Sequence, residues 1–164
     1  MFNTFKAMLA VTVAFTLALL APAVAGAQNF SDRDTNEIAG YVLTDGGLAK
    51  YTHAVRKLQP LKGQLPQGCE HDEGPQSLNS MAEQMDEVPG VKSALKAAGM
   101  TSREYLLFSW SVFQNGIAAW GLEQPGSKLP PGMKMANVNF YRAHEAELKK
   151  LSELTKQADC DNSN

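Results

Sequence analysis

The chain has 164 residues, 44% of them hydrophobic and 20% charged, with a net charge of −2. That size and apolar content allow one buried core. Charge is nearly balanced and Lys and Arg are not clustered, which excludes the basic footprint that usually meets nucleic acid or anionic membrane.

Met1 to Ala27 has the three parts of a secretory signal: Lys6 in a short n-region, an apolar run from Ala7 to Leu20, and the small residues Ala25, Gly26 and Ala27. The run falls short of the roughly 20 residues that span a membrane. Cleavage after Ala27 is expected. The mature chain would then be a single helical domain from Gln28 to Asn164, periplasmic or secreted and no longer associated with a membrane.

From Phe30 to Leu43 the pattern is ambiguous. Ile38, Tyr41 and Val42 suit a short helix, but Gly40 interrupts it and Tyr41-Val42-Leu43 also suits an extended run. A helix is predicted over Asp45 to Leu58, capped by Thr44, with Leu48, Tyr51, Val55 and Leu58 on one face and Pro60 beyond its end. Gly46 and Gly47 each weaken its first turn by roughly 1 kcal/mol. Gln59 to Gln76, with three prolines and three glycines, reads as a long surface loop.

That loop holds Cys69, and Cys160 is the only other cysteine. In an oxidising compartment one disulfide between Cys69 and Cys160 is the economical pairing, contributing on the order of 4 kcal/mol by the chain-entropy model. The rival is a thiolate metal site at Cys69 beside His71.

Ser77 caps a short helix carrying Leu78, Met81, Met85 and Val88 on one face, and Pro89 opens another through Ala98, ended by Gly99. Next comes the central apolar helix, about 102–120. Thr101 caps it, Glu104 reaches back to the cap, and Gly121 offers a left-handed stop. Leu106, Trp110, Phe113, Ile117 and Trp120 form a bulky stripe beside a smaller one of Tyr105, Phe108, Val112, Gly116 and Ala119. Arg103, Ser111 and Gln114 make the narrow wet strip. A helix apolar over more than half its circumference needs several neighbours, so the fold class is all-α, an irregular bundle of four to five helices around it.

Leu122 to Ala136 is a second crossover, stiffened by three prolines. Asn137 caps a C-terminal helix to about Ala158, with Phe140, Tyr141, His144, Leu148, Leu151, Leu154 and Thr155 inward.

No sequence feature assigns a catalytic residue: Gly-x-Ser-x-Gly, His-Glu-x-x-His, Cys-x-x-Cys and a phosphate-cradling glycine loop are all lacking. No cofactor is assigned. His144 reads as a neutral core histidine, with a metal or heme ligand as the alternative. Met81 and Met85 fit the core face of their helix. Met133 and Met135 are weak partners for a metal at His144, and His53 is expected to be solvated. Trp110, Trp120, Tyr141 and His144 are the ligand-pocket candidates. Burial of the bulky stripe is the default, and where neighbours fail to cover it the tryptophans would line a groove for a small apolar ligand or a partner's helix.

The run from Pro89 to Tyr105, P-G-V-K-S-A-L-K-A-A-G-M-T-S-R-E-Y, and the run from Leu129 to Leu148, L-P-P-G-M-K-M-A-N-V-N-F-Y-R-A-H-E-A-E-L, resemble a group of small exported bacterial all-helical proteins of unassigned function. The resemblance covers the C-terminal half. It implies a signal peptide followed by helices and supplies no site residues. The expectation is a non-catalytic binding or accessory protein whose target is a protein partner or a small apolar ligand, with its surface where the two Pro-rich crossovers meet the central helix. A heme or copper carrier using His144 and a methionine is the first alternative, and an enzyme with a site built from scattered carboxylates is the second.

Overall fold

Short polar side chains open four of the six α-helices in the computed structural model, which describes residues 30–65 and 77–155. Ser31 caps α1 (Asp32–Gly40), Thr44 caps α2 (Asp45–Leu58), Ser77 caps α3 (Leu78–Glu87) and Thr101 caps α5 (Ser102–Gly121). Each side-chain oxygen accepts from an amide of the first turn that has no partner within the helix. The remaining helices are α4 (Val91–Ala97) and α6 (Met135–Thr155), and a 3-10 stretch, Gln59–Gln64, follows α2. No strand occurs among the described residues, so the domain is an all-α bundle. None of these helices is long and apolar enough to cross a membrane. The signal sequence, Cys69, His71 and Cys160 lie outside the described residues, and with them the expected disulfide.

The ambiguous segment near the start becomes both of its readings in turn: α1 to Gly40, then an extended link through Leu43. This raises the helix count to six. The loop after α2 begins as the 3-10 stretch. Pro89 does not open α4. Instead, Val88 to Val91 make a turn with Gly90 at φ 91°, closed by the Val91 amide donating to the Val88 carbonyl at 3.1 Å. Gly99, at φ 76°, ends α4. Its amide donates to the Lys96 carbonyl and that of Met100 to Leu95, the paired bonds of a left-handed helix stop. Thr101 caps α5 at once, so only Ala98 to Thr101 separate the two helices.

The Thr101 and Glu104 capping box forms as the spacing predicts, the Thr101 amide donating to Glu104 Oε2 at 2.8 Å. Gly121 does not act as a left-handed stop. It is the last helical residue, and Leu122 leaves at φ −68°.

The main core lies where α2, α3, α4 and α6 surround the first half of α5. Phe108 is fully buried at its centre, and Tyr51 stacks on it at 4.7 Å and on Tyr105 at 5.2 Å. Gly47 now has a reason. A Cβ there would stand 3.0 Å from the Phe108 ring, so the helix propensity lost in the first turn of α2 is exchanged for a close approach to the core. Met85 is buried and Met81 packs against the same cluster.

Three side chains converge on the C-terminal end of α1 and the extended link after it. Ser111 donates to the Ile38 carbonyl at 3.0 Å, and Lys134 donates to that of Gly40 at 2.9 Å. Asn137 spans two groups, donating to the Tyr41 carbonyl at 2.5 Å and accepting from the Leu43 amide at 3.1 Å. Two expectations change here. Ser111 is fully buried rather than wet, and Asn137 is not the cap of α6, which starts two residues earlier; it is a clamp between helices. On the opposite flank Arg103 forks onto Glu37 at 2.6 and 2.7 Å and donates to Asn79 at 2.7 Å, tying α5 to α1 and α3.

Asn137→Ala leaves a buried amide and a half-buried carbonyl without partners, so it should destabilise the fold by about 1–3 kcal/mol in denaturant unfolding. The Arg103 guanidinium holds the Glu37 carboxyl below its usual range. A carboxyl depressed in the folded state adds stability that is present above its unfolded pKa and lost as pH falls through the folded one. Glu37→Gln should therefore cost about 1 kcal/mol at neutral pH, after screening of a pair that is one-third exposed. The gap from the unmodified chain should close below the usual carboxylate range, as acid titration of stability would show.

Candidate functional site

A helix turns about 100° per residue, and Ser111 sets the rotation of α5. With Ser111 pointing at α1, Asn115, Ala118 and Ala119 share its inward side and are buried. Phe113, Ile117 and Trp120 then fall on the opposite side, where they are 57%, 54% and 67% exposed. The neighbours explain why the same stripe is buried earlier in the helix. Leu106 lies under the main core, whereas α3 and α4 are short and pack on the first half of α5. Trp110 marks the boundary, packing edge-on against Phe30 at 5.0 Å and Phe113 at 5.7 Å.

α5 and α6 run antiparallel, with Arg142 donating to the Ala119 carbonyl at 3.1 Å. They are close because Gly116 has no side chain: a Cβ there would stand 2.9 Å from Cζ of Tyr141. Beside this contact the helices leave a groove of about 550 Å³. Its α5 wall is Ser109, Val112, Phe113, Gly116, Ile117 and Trp120. The α6 wall is Tyr141, Leu148, Lys149, Ser152 and Thr155, and Tyr51 of α2 forms the floor.

Polar groups reach the groove from Tyr51, Ser109, Tyr141, Lys149, Ser152 and Thr155. Ser109 donates to the Tyr105 carbonyl at 2.9 Å and lies 3.3 Å from the Tyr51 hydroxyl. Burial pushes the Tyr51 phenol above its usual range, and it stays protonated at neutral pH. Lys149 pairs with Glu145 at 2.8 Å, which holds its ammonium above the usual lysine range. No carboxylate or histidine lines the groove.

Of the four predicted pocket residues, the structure places Trp120 and Tyr141 in the groove. Trp110 belongs to the core margin. His144 is not a core histidine: its Nε2 lies 3.1 Å from Asp45 in the first turn of α2, its ring is 4.3 Å from that of Phe140, and its side chain is partly exposed. Met135 precedes it by nine residues of the same helix, about 13 Å along the axis, too far to share one ion. Met133 packs with Ala118, Ala119 and Val138. Among the described residues no three His, Cys, Asp or Glu side chains converge as a metal site requires. Leu154, expected inward, is 40% exposed. No residue of the crossover 122–134 lines the groove.

Sequence reading missed Tyr51, Ser109, Lys149 and Ser152. A usable signal was the recurrence of Leu148, Ser152 and Thr155 at helical spacing, an α6 face that turns from apolar to hydroxylic. Comparison with family models, with curated proteins and with solved structures gave no match.

Two glycine substitutions separate the Gly116 contact from helix propensity. Gly121→Ala meets nothing within 4 Å and should leave stability unchanged or raised by up to about 1 kcal/mol. Gly116→Ala gains the same propensity but must displace Tyr141, costing about 1–3 kcal/mol. Thermal unfolding should therefore rank it below Gly121→Ala.

Proposed function

We propose that this chain is an exported, non-catalytic binding protein whose site is the groove between α5 and α6 and whose ligand is a small apolar molecule. The observation that carries this reading is the exposure of Phe113, Ile117 and Trp120 along one wall of a 550 Å³ groove. Small-molecule sites are mostly apolar clefts of about 300–1,000 Å³ with a few placed polar groups. Area argues against a stable protein partner on this stripe. Large side chains such as these offer on the order of 150–250 Å² each, so Phe113, Ile117 and Trp120 leave roughly 300–400 Å² open, half or less of the ~800 Å² per partner in a stable interface. Chemistry argues for binding over catalysis. The groove offers no carboxylate or imidazole to move a proton, and Lys149 stays protonated beside Glu145. Export rests on the signal-like sequence from Met1 to Ala27.

The test uses protein recovered after export, whose mass should place its start at Gln28 and show two hydrogens missing. Titrated with the apolar dye N-phenylnaphthylamine, it should saturate at one site. Ile117→Asp should weaken the dye at least tenfold while stability moves within about 0.5 kcal/mol, because the side chain is exposed. Unchanged dye affinity in Ile117→Asp would remove the groove as the site.

A further inference from the structure

Phe113, Ile117 and Trp120 stand open along α5, and the described chain begins beside them. Its first residue, Phe30, sets its ring 5.0 Å from that of Trp110, and Trp110 sets its own 5.7 Å from Phe113, which lines the groove. The residues before Phe30 therefore lead off from the edge of the open wall.

Of the segments outside the described residues, only this one has side chains that suit an apolar groove. Residues 66–76 and 156–164 hold no Leu, Ile, Val, Met, Phe, Tyr or Trp, although the second follows directly on Thr155 in the groove lining. Residues 7–20 include Met8, Leu9, Phe15, Leu17, Leu19 and Leu20, with no charged residue among them.

Lengths agree as well. As a helix this run would be about 21 Å long, against about 16 Å for the α5 wall from Ser109 to Trp120. Pro22 stops a helix just beyond the run. Residues 21–29 then reach up to about 30 Å when extended, enough to lay the run anywhere along the wall.

Tethering changes the argument from area. Roughly 300–400 Å² is too little to hold a separate protein. A segment of the same chain, however, meets the groove at an effective concentration of about millimolar, without a second molecule to immobilise. A second copy of the chain has no such advantage.

We propose that in the uncleaved chain the apolar run of residues 7–20 lies in the groove between α5 and α6, and that cleavage after Ala27 opens the groove to its ligand. This rests on the groove being the binding site and on the signal-like character of residues 1–27. The cleaved chain starts with Gln28 and Asn29, which have nothing apolar to put there.

Acrylamide quenching of Trp120 reads this cover directly. Trp110→Phe leaves Trp120 as the one tryptophan, and Trp110 is not part of the groove lining. In that background the full chain and the chain from Gln28 are compared as monomers isolated by size exclusion. Trp120 should be quenched at least about threefold less in the full chain, because docking at millimolar effective concentration is close to complete. Leu17→Asp with Leu20→Asp in the full chain should return quenching to the level of the cleaved chain, since a charge taken out of water without a partner is costly. Equal quenching of the full and cleaved chains overturns the proposal, and so does protection that the paired Asp variant keeps. A full chain that forms no monomer overturns it too, because a run lying in its own groove has little surface left for association. All three results leave the groove as the ligand site of the cleaved chain. A cleaved chain that fails to bind N-phenylnaphthylamine overturns both readings.

Discussion

One constraint ties α5 and α6 to the start of the bundle: the Ile38 carbonyl at the end of α1 and the Leu43 amide are buried and find side-chain partners there. Buried main-chain amides and carbonyls are nearly always paired. Here the partners are side chains from the far half of the chain, Ser111 on α5 and Asn137 on α6, with Lys134 just before α6. Each bond contributes modestly, but leaving the buried Ile38 carbonyl or Leu43 amide unpaired costs more than the bond itself contributes. The constraint therefore sets the rotation of α5 and the height of α6.

Once α5 is rotated so that Ser111 and Asn115 face inward, its second half has no choice about its other side. Large apolar residues opposite Ser111 must point outward, and no described element packs over them. The first half avoids this because α3 and α4 pack against α5, with Asn79 and Asp86 of α3 bonded to Arg103 and Ser102 in its first turn. Gly47 and Gly116 serve the same arrangement in different places. One admits the Phe108 ring to the core, and the other brings Tyr141 against α5 to form a wall of the groove. A polar core element and an apolar surface patch are thus two sides of one helix.

The groove also shows how the fold divides hydroxyl groups between acceptors and donors. Serine and threonine in helices commonly return their proton to a carbonyl one turn back. At Ser109, Ser152 and Thr155 this leaves the oxygens as acceptors, while the Tyr141 hydroxyl and the N–H groups of Lys149 not used by Glu145 remain donors. The chemistry of the site is set less by residue types than by which of their valences the fold has already used.

Local signals were legible in the chain itself. Thr44, Ser77 and Thr101 mark helix starts because a cap acts within three residues of its own position, and α2 runs from Asp45 to Leu58 as the spacing predicts. The all-α class was equally legible, since it depends on periodicity within each segment. What only the tertiary structure decided was the direction in which each face points. Ser111 and Asn137 look like surface and cap residues until α1 arrives with carbonyls to satisfy, and His144 looks like a core residue until Asp45 is placed beside it. Trp120 looks buried until the lengths of α3 and α4 leave it uncovered. Apolar pattern measures how much surface a helix could bury, whereas the partner groups brought by distant segments determine which of that surface it does bury.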